Sequence, residues 1–258
     1  MSTMPTQDGA TAAPRDWDGA TYDRISDPML RMGATVLDRL QLTGDEHVVD
    51  AGCGSGRVTE LLAERLPRGR VVALDGSPSM LDEARRRLAR FGDRVEYVAA
   101  DLGQPLPVDP PVDAILSTAA FHWVPDHDAL FRNLAAVLRP GGRMAAQCGG
   151  VGNLEAVFAI LETVGDGWRG PQRFETPEST IRRLQAAGFR DVRCWLIRER
   201  VELAPGEPLE AYLRTIVLGA HLERLPEDER PGFVRAVADR MAEPTLEYVR
   251  LNIDATRR

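Results

Sequence analysis

The sequence predicts an α/β fold: a doubly wound, mostly parallel sheet of seven strands with a helical lid. Three observations predict it. Between residues 44 and 150, short apolar runs alternate with amphipathic helical patterns, as strand–helix–strand units require. The first apolar run passes straight into alternate glycines, Gly52, Gly54 and Gly56, and then into a helical pattern. Such a turn lets a ligand lie against bare backbone at the start of a helix. After Gly150 the alternation stops, helical patterns dominate, and two late strand candidates remain to complete the sheet.

The elements follow in order. Asp27 to Leu40 has helical periodicity, His47 to Asp50 is a short buried strand, and Val58 to Leu66 is a helix ended by Pro67-Arg68-Gly69. Arg70 to Asp75 is the second strand. Ser77 and Pro78 supply an N-cap and a first helical residue for the next helix. Arg94 to Ala99 and Val112 to Ser117 are strands, Asp128 to Leu138 is a helix stopped by Pro140-Gly141-Gly142, and Arg143 to Cys148 is the fifth strand. Helices are expected at Leu154 to Val164, Pro177 to Ala187, Leu209 to Leu218 and Glu227 to Met241, with strands at Val192 to Val201 and Leu246 to Ile253. The division expected is a disordered tail (1–14), an arm and helix (15–43), a ligand-binding core (44–150) and a C-terminal part (151–258). That last part carries the lid, at about 207–241, and the final two strands.

The chain has 258 residues, 43% of them apolar, enough for one large domain or a domain with a lid. Its net charge of −7 argues against a nucleic-acid surface. No run approaches the roughly 18 apolar residues of a membrane span. Met1 to Pro14 has no apolar stretch and so no signal peptide. Cys53, Cys148 and Cys194 lie far apart without metal-ligand spacing and read as reduced thiols of a cytoplasmic protein; no metal is expected. The partner expected is a small molecule, neither membrane nor nucleic acid, bound by a monomer or homodimer.

In a doubly wound sheet, ligands sit outside the carboxyl ends of the strands. Asp50, Asp75, Asp101 and Ser117 fall at or just after such ends. The spacing excludes two nucleotide sites: a dinucleotide turn needs glycine where Arg57 stands, and a P-loop needs Gly-Lys-Ser/Thr. Asp75, 19 positions after Gly56, can accept from both hydroxyls of a ribose, with Gly76 and Met80 beside it. Asp101 can accept from an adenine amino group, with Leu102 against the ring. Trp17 and Tyr22 can fold back over a cation or a base. His122 and Trp123 follow the fourth strand, and His122 can act as a base or as a donor to a second substrate. Arg169 and Arg173, in a Gly/Pro-broken loop, can pair with a carboxylate.

The form D-x-G-x-G-x-G at Asp50 to Gly56 resembles the first motif of the class I, Rossmann-like methyltransferases, which bind S-adenosylmethionine. Trp17 with Tyr22, L-D-G-S-P-S-M-L-D-E-A-R, A-A-D-L, F-H-W-V-P-D-H and the closing R-L-N-I-D-A-T-R-R are similar to the trans-aconitate methyltransferase group. The resemblance implies S-adenosylmethionine as methyl donor, held by Trp17, Tyr22, Asp50, Gly52, Gly54, Gly56, Asp75, Gly76, Met80, Asp101, Leu102 and Ser117. It implies a small acid as acceptor, esterified on a carboxylate; from their positions in the chain, His122 is the expected catalytic residue and His122, Trp123, Arg169 and Arg173 the expected acceptor contacts. The group commonly has Gln where this chain has His122. S-T-A-A-F-H-W also lacks the N/D-P-P-Y/F of amino-group methyltransferases of DNA and some proteins. Two other readings stay open: methylation of a carbon, hydroxyl or amine of a specialised metabolite with His122 as base, and a non-catalytic protein that binds S-adenosylmethionine.

Overall fold

Seven strands form one sheet in the order β3-β2-β1-β4-β5-β7-β6. The structure is a computed structural model that describes residues 15–109 and 111–258; the tail expected at residues 1–14 lies outside them. β1 (His47–Ala51), β2 (Arg70–Asp75), β3 (Val95–Ala99), β4 (Val112–Thr118) and β5 (Leu138–Gly149) are parallel. β6 (Phe189–Glu202) lies at the edge, and β7 (Thr245–Arg257) is inserted antiparallel between β5 and β6. The order reverses between β1 and β4. A crevice therefore opens at their carboxyl ends, where neighbouring connections leave to opposite faces.

Helices cover both faces because each carries one apolar stripe. On one face lie α2 (Asp27–Leu37), α3 (Arg57–Arg65) and α4 (Pro78–Leu88), with α1 (Gly19–Ile25) packed against α4. Val36, Leu37, Leu62, Leu81, Ala84 and Leu88 pack there on Val48, Val71 and Leu116. On the other face α5 (His127–Val137) brings Leu130, Phe131 and Leu134 against Val49, Val72 and Ile115. α6 (Glu155–Val164) packs with later elements, whereas α7 (Pro177–Ala186) joins the α5 face through Leu184. α8 (Glu207–Tyr212), α9 (Gly219–Leu222) and α10 (Arg230–Ala238) close a third apolar cluster around Phe158, Leu213, Val234 and Tyr248.

The alternation and both late strands are as the sequence predicts; several boundaries differ for local reasons. The arm contains a helix, α1, capped by Asp18, whose carboxylate accepts from the Thr21 N–H at 3.0 Å. The helix expected to reach Leu40 ends at Leu37. The helix expected over Leu209 to Leu218 is α8 followed by one π turn, Leu213–Val217. Pro231 sets the start of α10 at Arg230, and the helix expected over Glu227 to Met241 ends at Ala238. β5 begins at Leu138, because Pro140-Gly141-Gly142 is taken up as an irregularity against β4 instead of ending the pairing. β6 and β7 outrun their apolar centres because they pair with each other from Phe189↔Arg257 to Glu202↔Thr245. Among the described residues no helix is long and apolar enough to cross a membrane, and no group of His, Cys, Asp and Glu could hold a metal ion.

Candidate active site

The glycine turn joins β1 to α3, and its three glycines do different work. All have positive φ: +82° at Gly52, +55° at Gly54 and +81° at Gly56. A Cβ on Gly52 would lie 2.3 Å from that of Ala120, and one on Gly56 3.2 Å from Ala84. Those two positions let β4's exit and α4 approach the turn. A Cβ on Gly54 would meet nothing within 4 Å, so Gly54 alone faces open space.

Two acids flank the turn. Asp75, at the tip of β2, accepts from the Gly54 N–H at 2.8 Å with one oxygen and from the Ser77 N–H at 2.9 Å with the other. Each oxygen keeps a second lone pair. Burial raises the Asp75 carboxyl above its usual range against those backbone bonds. Asp50 is fully enclosed. One oxygen accepts from the Thr59 hydroxyl at 2.7 Å, the other has no partner, and burial pushes the carboxyl up to about 7. An unsatisfied buried carboxylate oxygen, an open glycine backbone and an acid at the next strand tip suit a ligand with a cationic end and hydroxyls.

The other residues expected to hold the donor sit in β4 or just after β2 and β3. Gly76 is half-buried after β2, and Met80 is buried in the first turn of α4, its N–H capped by Ser77 Oγ at 3.2 Å. Asp101 is half-buried and accepts from the Gly103 N–H at 2.8 Å, closing its own loop. Leu102 is turned into the α5 core, and its carbonyl accepts from Asn133 at 3.1 Å. Ser117 is buried, and its hydroxyl donates to the Ala51 carbonyl at 2.6 Å, fixing the end of β1.

The arm is docked over the turn. The Trp17 N–H donates to Ser77 Oγ at 3.2 Å, and the Ser55 hydroxyl donates to Asp23 at 2.8 Å. Trp17 meets Trp123 edge-on at 5.2 Å and Tyr22 at 5.7 Å. The Arg15 guanidinium stacks over Trp17 at 4.2 Å and pairs with Glu223 after α9.

Beyond β4 the chain turns through Ala119, which has φ of 59°, into one 3₁₀ turn, Phe121–Trp123. His122 is buried there. Its Nδ1 accepts the Gly149 N–H at 3.3 Å, so the neutral ring carries its proton on Nε2. Burial first, then the neighbouring Arg250 charge, holds the imidazole well below its ordinary pKa, and it is neutral at physiological pH. His122 and Trp123 share a small cavity with Trp17, Tyr22, Phe174, Tyr248 and Arg250, roofed by Ile216 and Val217 of the π turn. Its void is about 50 Å³, far below the roughly 300–1,000 Å³ of ordinary ligand pockets. Entry of a ligand therefore requires the arm or the roof to move. Of the expected lid, only the π turn lines this cavity; α10 lines a separate one of about 490 Å³ near Trp168 and Phe233.

The two predicted arginines do not reach the cavity. Arg169 is exposed and engaged by Glu155 at 2.8 Å and Glu162 at 2.7 Å, stacking outside Phe158. Arg173 gives only its backbone N–H, to the His122 carbonyl at 2.8 Å, and its side chain is exposed. Arg169 pairs with surface acids and Arg173 turns to solvent, so neither side chain lines this cavity. The cation in the cavity is Arg250, which sequence reading passed over. Its signal is present: a buried strand, Y-V-R-L-N-I, with Arg and Asn at alternate positions on one face.

Residues 48–142 match the model of a methyltransferase domain. The chain is 42% identical over 132 residues to a trans-aconitate 2-methyltransferase of Methylobacterium nodulans, a match covering 51% of this chain and about half, 49%, of that relative. It is 33% identical over 229 residues to the trans-aconitate 2-methyltransferase of an Azoarcus species, covering 85% of this chain and 87% of the relative. Among solved structures, Haemonchus contortus phosphoethanolamine N-methyltransferase 2 in complex with S-adenosyl-L-methionine aligns with a TM-score of 0.62 at 20% identity, over 93% of this chain and 56% of that one. That likeness speaks for the fold alone. With a third of its residues shared over most of its length, the chain belongs to the trans-aconitate 2-methyltransferase family of S-adenosylmethionine-dependent class I methyltransferases.

Proposed function

We propose that this enzyme transfers the methyl group of S-adenosylmethionine to a carboxylate oxygen of a small organic acid of the trans-aconitate kind. The observation that carries the reading is the state of His122. Its Nδ1 lone pair is taken by the Gly149 N–H, and its depressed pKa keeps it neutral, so Nε2–H is a donor. A donor suits an acceptor that is already ionised; a carboxylate needs no base near neutrality. Methylation of a hydroxyl, amine or carbon would use a lone pair that this tautomer does not offer.

On this reading, Asp50, the Gly52–Gly56 turn, Asp75, Gly76, Met80, Asp101, Leu102 and Ser117 form the donor's cradle, with Trp17 and Tyr22 closing over it. When bound, S-adenosylmethionine supplies an electrophilic methyl on a sulfonium with a thioether as leaving group. An acceptor oxygen forms the new C–O bond as the C–S bond breaks with its electron pair kept on sulfur, giving a methyl ester and S-adenosylhomocysteine. Two opposite charges are lost in that step, so a dry site favours it. Trp17, Trp123 and Phe174 exclude water, and His122 orients the acceptor. The three free cysteines support a cytoplasmic protein, and the proposal is of a monomer or homodimer acting on small molecules.

The test is incubation with methyl-labelled S-adenosylmethionine and a panel of organic acids, amines and alcohols. A product that releases methanol in mild alkali is an ester and supports the reading. Label that survives alkali on every product refutes it.

A further inference from the structure

Arg250 is buried, 3% exposed, in the middle of β7. Its Nε donates to Gln147 Oε1 at 3.3 Å, and Gln147 in turn donates to Asn252 Oδ1 at 3.1 Å. Arg39 also donates to that Asn252 oxygen and pairs with Asp254 at 2.9 Å. This chain of polar groups fixes one edge of the Arg250 guanidinium. Among the described residues nothing accepts from its two terminal nitrogens, and no carboxylate pairs with it. Its neighbours are Tyr22, Tyr212, Tyr248, Cys148 and His122. A buried charge without a counter-charge is costly, and proteins keep one where a ligand completes the pair. The guanidinium lines the same cavity as His122 and Trp123, which no Asp or Glu lines.

The fork fits a carboxylate bidentately. Which carboxylate follows from the charge change in the reaction. The methylated carboxylate loses its charge in the transition state, so an ion pair to it would stabilise the ground state more and slow transfer. An ion pair to a second carboxylate is unchanged along the reaction and costs nothing in rate. We infer that Arg250, oriented by Gln147, Asn252 and Arg39, anchors a spectator carboxylate of the acceptor and is the residue that selects di- and tricarboxylates over monoacids. The inference rests on the esterification reading for which carboxylate is held, but not for the binding itself.

Binding is read first, without turnover, by calorimetry on the full chain with saturating S-adenosylhomocysteine. The probes are succinate, glutarate and propane-1,2,3-tricarboxylate, with butyrate as the monoacid. In the unsubstituted protein the best polyacid should bind at least ~10-fold tighter than butyrate; equal binding, or no polyacid binding, overturns the inference. Arg250→Gln keeps a donor to Gln147 and removes the charge. It should weaken that polyacid ~10–100-fold, the equivalent of one or two charge-assisted hydrogen bonds, and leave butyrate within ~3-fold. Arg250→Lys, which keeps the charge but not the fork, should fall between the two. S-adenosylhomocysteine affinity reports that each variant is folded.

In turnover, Arg250→Gln should raise KM for the polyacid with kcat within ~3-fold. Equal losses for monoacid and polyacid would assign Arg250 to the reacting carboxylate and overturn the inference while esterification stands. If polyacid binding depends on Arg250 but no alkali-labile methyl forms, the anchor stands and the esterification reading falls.

Discussion

Asp23 in α1 accepts two hydrogen bonds from Arg87 in α4, at 2.7 and 2.8 Å, across the outside of the glycine turn. The same carboxylate takes the Ser55 hydroxyl from the turn itself, and the Asp23 carbonyl accepts from Arg57 at 3.0 Å. The arm is thus latched to the turn that it covers. The pair is about one quarter exposed on each side, so its worth is modest.

Asp23→Ala should therefore release the arm without unfolding the sheet. Hydrogen exchange should speed over residues 15–25 and stay unchanged in β1 and β4. S-adenosylmethionine should dissociate faster, with affinity lower by about 3–10-fold. Exchange unchanged in the arm would mean that Trp17 packing, not the latch, holds it down.

His122 gives a sharper test through its neighbour Gly149. With Nε2–H as donor, His122→Gln, which offers an amide donor, should keep turnover within about 10-fold. His122→Ala should lose at least about 10-fold, and donor affinity should barely change. A general base would instead lose about 10²–10⁴-fold in both variants. With donor saturating, the depressed imidazole pKa predicts no limb from His122 in the acceptor kcat/KM between about pH 6.5 and 8. A limb near 6.5 that disappears in His122→Gln would restore the base reading.

Asp50 links the site to stability. Burial lifts its folded pKa to about 7 from an ordinary 3.8, so between those values the folded state holds the extra proton. Unfolding releases it, and this group's contribution makes the ligand-free protein less stable as pH rises from about 4 to 7, by on the order of 2–4 kcal/mol. Asp50→Asn should match the parent protein near pH 4, exceed it at pH 8 in thermal melts, and bind S-adenosylmethionine more weakly. Parallel melting curves at the two pH values would show that Asp50 is already satisfied without ligand.

The glycines separate fold from function. Gly52→Ala should cost roughly 1–3 kcal/mol of stability, since its Cβ would collide with Ala120 and its φ of +82° disfavours any side chain. A Cβ on Gly54 meets no protein atom within 4 Å, so Gly54→Ala, strained only by its φ of +55°, should leave a folded protein that binds donor more weakly, as calorimetry can read. Asp75→Ala should lower donor affinity at least about 10-fold and also loosen the turn, because Asp75 holds the Gly54 and Ser77 N–H groups.

The strand–helix alternation was legible because each parallel strand is a closed apolar run and each helix has one apolar stripe. The glycine turn and the strand-end acids were legible because their spacing is set by local backbone geometry. Arg250 was not, because its meaning depends on a sheet partner, Gly149, about a hundred residues away in sequence. Nor was Arg169's engagement, since Glu155 and Glu162 become its partners only after α6 forms. Loop position predicts proximity to a site but not which side chains face it.

β7 is the last strand in sequence yet an interior strand in space, lying between β5 and β6. During synthesis, the first five strands can assemble while β5 still presents an unpaired edge. β6 has no partner until residues 245–257 emerge. β5 therefore keeps an open edge until β7 emerges and fills the place between it and β6, a non-local step that is slow and exposes a sticky edge meanwhile. The segment that fills the gap also carries Arg250, so the cavity beside His122 gains its cation only when the sheet is complete. Partly made chains can have a glycine turn already shaped, but not the finished cavity beside His122.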